Sequence, residues 1–141
     1  MFVKKYEERL ALWREFRDTL ESSDDPLQDT INLFSTAPTA TYAADPYSQD
    51  TWPNPWELIE ENNYCSFVKI LAICYTLQLT DRFSRSTFEI HITQDKERSS
   101  TDYLLYIDDI VIGLNGDSYV HRTQIPPTTV SEITYAMPAQ Q

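Results

Sequence analysis

The chain has 141 residues, and 11 lysines and arginines stand against 22 aspartates and glutamates, so its formal net charge is −11. Its length suits one domain, and a 41% hydrophobic content is enough for a packed core. The negative charge repels a phosphate backbone over most of the surface, so we expect no direct nucleic-acid partner. The same charge favours a basic protein partner, although acidity also serves solubility alone.

The scarcity of glycine, histidine and cysteine excludes several classes of site. Two glycines cannot build a glycine-rich phosphate loop, and the two histidines, His91 and His121, do not form a metalloprotease helix motif. Two cysteines cannot make a cysteine-rich zinc site. We therefore expect no cofactor and no metal. One alternative is weak Ca²⁺ binding by Asp108, Asp109 and Asp117.

Targeting signals are not evident in the sequence. The most apolar run lies around residues 67–77 and is interrupted by Lys69, Tyr75 and Thr76, so we expect no membrane span. The first ten residues have no apolar core of the kind found in a secretion signal.

Four helices are predicted in the first half of the chain. Apolar side chains repeat at helical spacing over residues 4–20, and Asp24-Asp25-Pro26 starts a second helix that continues to about residue 34. Asn54-Pro55-Trp56-Glu57 has the pattern of a capping box with proline in the first turn. Residues 64–79 are apolar on nearly all sides, which predicts a central buried helix.

The hydrophobic period changes after Asp81-Arg82 to that of strands. Residues 87–93 alternate apolar with polar side chains, and further strands are predicted over 103–107, 110–114 and 119–122. Asn115-Gly116 is a typical hairpin turn signal. The predicted fold class is therefore α+β, with N-terminal helices and a central buried helix packed on an antiparallel sheet of three to four strands.

The same patterns predict a single α+β domain over residues 1–122. It comprises a helical part (1–34), a long loop (35–53) and a core of helix plus meander (54–122). Residues 123–141 contain three prolines and little period, so we expect an extended C-terminal tail that orders against a neighbour.

The loop and the tail supply candidate interaction residues. Long loops in small domains are often functional, and aromatic side chains are enriched in protein interfaces; the alternative is that these side chains only anchor the loop to the core. The candidate interaction residues are Tyr42, Tyr47, Trp52, Ile125, Val130, Ile133 and Tyr135.

Cys65 is the best candidate for a catalytic nucleophile. At the first turn of a buried helix, the helix dipole favours a thiolate; the alternative is a small buried side chain of the core. His91 would be its base and Asp108 the accompanying acid. However, His91 alternates with Phe88, Ile90 and Ile92, so we expect it to face away from Cys65 if those three face the helices.

The segment from Asp50 to Leu77 resembles the transglutaminase-like cysteine hydrolase superfamily. The positions that match are Trp52, Pro55, Glu57, Cys65, Ala72, Tyr75 and Leu77. The resemblance implies a cysteine helix packed on an antiparallel sheet, with histidine and then an acid supplied by later strands. Here Asp102 lies where the histidine is expected, and Tyr64 replaces the acid before the cysteine. Without a base the scaffold is degenerate, because an imidazole must accept the thiol proton.

The stretch WPNPWELIEENNYCSF also resembles small proteins of tailed bacteriophages. Together these features predict a non-enzymatic structural or interaction protein, a virion neck or tail component that joins a homo- or hetero-oligomeric assembly. Its expected location is the virion or the host cytoplasm. The alternative is a cysteine hydrolase or acyltransferase that uses Cys65 as nucleophile.

Overall fold

The computed structural model describes residues 1–140 and shows an α+β fold of four α-helices and one antiparallel sheet. The helices are α1 (Tyr6–Leu20), α2 (Pro26–Ser35), α3 (Pro55–Glu61) and α4 (Ser66–Gln78). The strands are β1 (Phe88–Asp95), β2 (Ser100–Ile107), β3 (Ile110–Ile112), β4 (Tyr119–His121) and β5 (Thr129–Ala136). Two short 3-10 helices, Gln49–Thr51 and Arg122–Gln124, lie in the connections.

The sheet is a meander extended by its last strand. Its order is β4-β3-β2-β1-β5, so β5 pairs with β1 and leaves its other edge free. Antiparallel register sets Ile90 opposite Tyr135 and Ile92 opposite Ile133. An irregularity follows, because Thr93 pairs with Ser131 and Glu132 forms a bulge. A bulge at an edge strand increases its twist and hinders regular pairing with another strand.

The predicted helix signals are confirmed where capping defines them. The Asn54 side chain accepts from the backbone of Glu57, and Glu57 accepts from the backbone of Asn54, which completes the capping box of α3. Asn62 ends this helix in the left-handed conformation at φ 53°. The next helix begins at Ser66, so Cys65 is its N-cap residue and not part of its first turn.

Helix α4 is the centre of the core, as its apolar surface predicts. It contacts α2, α3, β1 and β2. The Trp13 indole on α1 donates to the Thr76 hydroxyl of α4 at 3.0 Å. Phe88, Ile90 and other residues on the inner face of the sheet join this core. A smaller cluster on the outer face contains Leu104, Tyr106 and Val111 and is partly covered by Leu114, Val120 and Ile125.

The expectation of an extended tail over residues 123–141 is wrong for most of that segment. Arg122–Gln124 is a 3-10 helix and Thr129–Ala136 is a sheet strand, whereas Gln141 lies outside the described residues. The prolines that suggested an irregular segment flank the strand, where they remove no ladder hydrogen bond. The sheet therefore has five strands, and the domain includes its C-terminal segment.

Candidate interaction surface

Side chains from the long loop, α4 and two strands form an aromatic patch, which we define as Tyr47, Trp52, Phe67, Tyr103 and Tyr135. The Trp52 ring lies 4.9 Å from that of Phe67 and 4.8 Å from that of Tyr135. Phe67 in turn meets Tyr103 edge to face at 5.5 Å. Because these rings come from four separate segments, the patch exists only in the folded chain.

The sheet register explains how the strands contribute to this patch. Tyr103 lies opposite Ile92, and Tyr135 lies opposite Ile90. Directly opposed residues share a face, so both tyrosines project to the side of the sheet that carries α4. Ile133 shares this face through its pairing with Ile92.

Asp45 fixes the loop that carries the remaining rings. Its backbone carbonyl accepts the Trp52 indole N–H at 2.8 Å. Its carboxylate accepts from the Tyr47 backbone at 2.9 Å and from the Ser48 hydroxyl at 3.1 Å. These hydrogen bonds hold a turn and orient Trp52 against the core. The alternative that loop aromatics anchor the loop to the core is therefore confirmed for Trp52.

Tyr47 is close enough to the two strand tyrosines to affect the pKa values of their hydroxyls. Burial raises the pKa of the Tyr103 hydroxyl, and Tyr47, Cys65 and Asp45 each add to the rise. Burial also raises the pKa of Tyr135, with contributions from Asp45 and then Tyr47. Tyr47 and Asp45 therefore share one electrostatic environment with Tyr103 and Tyr135, and the raised pKa values keep the hydroxyls of Tyr103 and Tyr135 neutral over the physiological range.

The aromatic patch is partly exposed and continues towards the free edge of the sheet. Tyr47 is 53% exposed and Val130, on β5, is 40% exposed. Val130 pairs with Gln94 on the face that Ile133 shares. An exposed group of aromatic and branched side chains beside polar groups is typical of a protein interface.

The other predicted interaction residues lie elsewhere. Tyr42 is 71% exposed on the loop; it makes none of the ring contacts of the patch and, unlike Tyr47, does not contribute to the raised pKa of Tyr103 or Tyr135. Ile125 is half-buried against the small cluster on the outer face of the sheet. The structure thus brings together Tyr47, Trp52 and Tyr135, sets Val130 and Ile133 beside them, and separates Ile125 from them.

The predicted catalytic residues are not brought together. Cys65 is 7% exposed and belongs to the core between the helices and the inner face of the sheet. His91 projects from the outer face, where its ring stacks on Tyr106 at 3.9 Å. Its Nδ1 is hydrogen-bonded to Ser131 at 2.7 Å and its Nε2 to Glu89 at 3.1 Å. The sheet therefore lies between the thiol and this imidazole.

Asp108 serves a turn. It is in the left-handed conformation at φ 51° between β2 and β3. Its carboxylate accepts from the Thr87 backbone at 2.9 Å, and its own N–H donates to the Thr87 carbonyl at 3.0 Å. Among residues 1–140, no three histidine, cysteine or acidic side chains are grouped so that they could hold a metal ion, so the calcium alternative on Asp108, Asp109 and Asp117 is wrong.

Sequence reasoning missed two residues of the patch, Phe67 and Tyr103, and also Asp45, which holds the loop beside it. Tyr103 was predicted only as a strand residue, and its position opposite Ile92 depends on a register that the sequence does not specify. Asp45-Pro46 has the pattern of an Asx turn, which is the signal that could have found Asp45.

None of the helices within residues 1–140 is long and apolar enough to cross a membrane. No family model, curated protein or solved structure matches this chain. The resemblances to transglutaminase-like hydrolases and to small phage proteins therefore stay predictions.

Proposed function

We propose that this protein is a non-enzymatic structural or interaction protein that binds another protein subunit through the aromatic patch and the adjoining Val130. The single observation that carries the proposal is the contact of Trp52, from the long loop, with Tyr135, from the last strand. Two segments that are remote in sequence build one partly exposed apolar surface there. The resemblance to small tailed-phage proteins favours a neck or tail of a virion as its setting.

The partner that this surface fits is an apolar protein segment flanked by basic residues. Large rings with few rotatable bonds supply contact area at low entropic cost, which is why tyrosine and tryptophan dominate binding hot spots. The Asp45 carboxylate accepts from the backbone of Tyr47 next to the patch, and the chain carries a net charge of −11. Two copies of so acidic a chain repel each other, whereas a basic partner is attracted and steered.

The position of Cys65 and His91 on opposite sides of the sheet supports the interaction function over the hydrolase alternative. Proton transfer from a thiol needs a base within direct reach or across one water. Cys65 lies close enough to Tyr103 to help raise the pKa of that phenol, so a tyrosine is a neighbour of the thiol. A neutral phenol is a poor general base near neutral pH.

The experiment is site-specific photocrosslinking in the cells that make the protein. A photoreactive phenylalanine analogue is introduced at Tyr47, at Val130 and, as a control, at Trp56, which is 46% exposed on α3. We expect one and the same partner at Tyr47 and Val130 and not at Trp56. The purified partner should then bind in a salt-dependent manner. Crosslinks of equal yield at Trp56, or none at the two patch positions, would contradict the proposal.

A further inference from the structure

A cavity of about 390 Å³ opens between α2, the start of α4 and the ends of β2 and β3. Its floor is apolar and includes Ile31, Phe34, Ile70, Ile73 and Ile112. This volume lies within the range of small-molecule sites, which combine an apolar lining with a few convergent polar groups.

Charged side chains of both signs line the wall of this cavity. Lys69 projects from α4 next to Ser66, which lies one helical turn earlier. Asp117 follows the hairpin turn after β3 and supplies a carboxylate. Asp102 of β2 also borders the cavity, but it pairs with Thr93 on the outer face of the sheet, so its carboxylate projects away. The cavity therefore has a cationic side on the helix and an anionic group on the loop after β3.

The charged side chains of the cavity form no ion pairs with one another. Within residues 1–140 the ion pairs are His91 with Glu89 and Arg98 with Asp95, so neither Lys69 nor Asp117 has an ionic partner within 4.0 Å there. Unpaired charges of both signs over an apolar floor fit a ligand that carries both complementary charges.

Tight local packing holds the sheet side of the cavity in place. Gly113 adopts φ +114°, and a Cβ on it would lie 2.5 Å from the Tyr103 carbonyl and 3.2 Å from Ile70. The Asp117 carbonyl accepts from the Gln28 side chain of α2 at 2.6 Å, which connects the loop to the opposite wall. The walls are thus joined by contacts that do not fill the cavity.

We propose that this cavity binds an amphipathic zwitterion of the amino-acid type, with an aromatic or branched apolar side chain on the floor. Its ammonium group faces Asp117, and its carboxylate faces Lys69 and the Ser66 hydroxyl. The ligand is held by two charge-assisted contacts and by burial of its apolar part. The cavity shares Tyr103 with the aromatic patch, but the charged groups assigned to the ligand are not patch residues.

The test is titration of the full-length protein with L-phenylalanine, followed by amide chemical shifts in NMR spectra. Phenethylamine carries only the cationic group and 3-phenylpropanoate only the anionic group. We expect L-phenylalanine to shift the amides of the cavity residues and to bind about tenfold more tightly than either analogue. Absence of shifts at these residues with about 10 mM L-phenylalanine, or equal binding of all three compounds, would overturn the proposal.

Charge-removing variants separate the two sides of the cavity. Lys69→Met is expected to weaken binding of L-phenylalanine about tenfold and to leave phenethylamine unchanged, and Asp117→Asn should not weaken 3-phenylpropanoate. Lys5→Met and Asp24→Asn, both at exposed positions outside the cavity, are the matched controls. If Lys5→Met weakened L-phenylalanine as much as Lys69→Met does, the loss would reflect overall charge and the assigned orientation would be refuted. Thermal unfolding of each variant verifies that it is folded.

Discussion

The indole of Trp52 meets the ring of Tyr135 edge to face, with centroids 4.8 Å apart and an interplanar angle of 73°. This geometry is the favoured one for aromatic pairs because the positive edge of one ring faces the negative face of the other. It attaches the long loop to the last strand. The same contact therefore supports both the sheet edge and the proposed binding surface.

A double-mutant cycle on this pair should reveal direct coupling. Trp52→Ala and Tyr135→Ala each remove the contact, so the double variant should be less destabilised than the sum of the single variants by about 0.5–1.5 kcal/mol. The measurement is urea unfolding followed by circular dichroism. The same cycle on Trp52 and Tyr42, which is exposed away from the patch contacts, serves as the control and should be additive. Additivity for the Trp52–Tyr135 pair would contradict the described contact.

The buried state of the cysteines predicts low thiol reactivity. Cys65 is 7% exposed, Cys74 is 0% exposed, and burial raises the pKa of the Cys74 thiol. A thiol reacts as the thiolate and needs access to the reagent. Neither cysteine should react with iodoacetamide in the native protein near neutral pH, whereas both should react in denaturant. Rapid labelling that is lost in Cys65→Ser would instead favour the hydrolase alternative.

The two glycines that line the cavity, Gly113 and Gly116, differ in the space around them and so allow a matched pair of substitutions. Gly113→Ala should destabilise the protein by about 3 kcal/mol, because φ +114° is strained for alanine and the new Cβ would lie 2.5 Å from a backbone carbonyl. Gly116 has φ +69° with open space around it, so Gly116→Ala should cost only about 1 kcal/mol. Chemical denaturation measures both. Equal losses would show that the close approach at Gly113 does not limit the substitution.

The raised pKa of Tyr75 predicts that the protein loses stability at alkaline pH. Burial, followed by the charges of Cys74 and Glu57, raises the pKa of Tyr75 to about 12, and its hydroxyl donates to the Pro53 carbonyl at 2.8 Å. Its pKa is thus higher in the folded than in the unfolded chain. The stabilisation is therefore complete below the unfolded value near 10 and is lost as pH rises from there to about 12.

Tyr75→Phe should reduce this alkaline loss, although it removes the hydrogen bond to Pro53 at neutral pH. Unfolding free energies at several pH values, with tyrosinate absorbance recorded in parallel, measure the difference between the variant and the wild type. Tyr42→Phe is the control, since Tyr42 is largely exposed. An alkaline dependence that is the same in Tyr75→Phe and in the wild type would refute the assignment.

The helices could be predicted from sequence because their signals are local. The capping residues around Asn54 and the apolar surface of α4 depend on neighbours within a turn or two. The last strand was missed because Pro126, Pro127 and Pro138 masked the alternation of Ile133 and Tyr135 with polar residues. β5 pairs with β1, a strand far earlier in the sequence, and local sequence patterns do not predict which distant strands pair.

The candidate site was predictable in its residue types and not in its arrangement. Exposed aromatic residues on a long loop indicated Tyr47 and Trp52, yet nothing in the sequence sets them beside Tyr103 and Tyr135. The opposite orientation of His91 was inferred from alternation along β1, and the stacking on Tyr106 agrees with it. The cavity was missed because Lys69 and Asp117 lie on separate segments and share no motif.

The most direct test of the interaction function is the equilibrium binding of the crosslinked partner to three purified proteins: the wild type, Tyr47→Ala and the control Trp56→Ala. Both variants remove an exposed ring, and only Tyr47 belongs to the aromatic patch. Tyr47→Ala should weaken binding about tenfold or more, which corresponds to about 1.4 kcal/mol, while Trp56→Ala should change it less than about twofold. Equal effects of the two variants, or an unchanged affinity for Tyr47→Ala, would contradict the proposed surface.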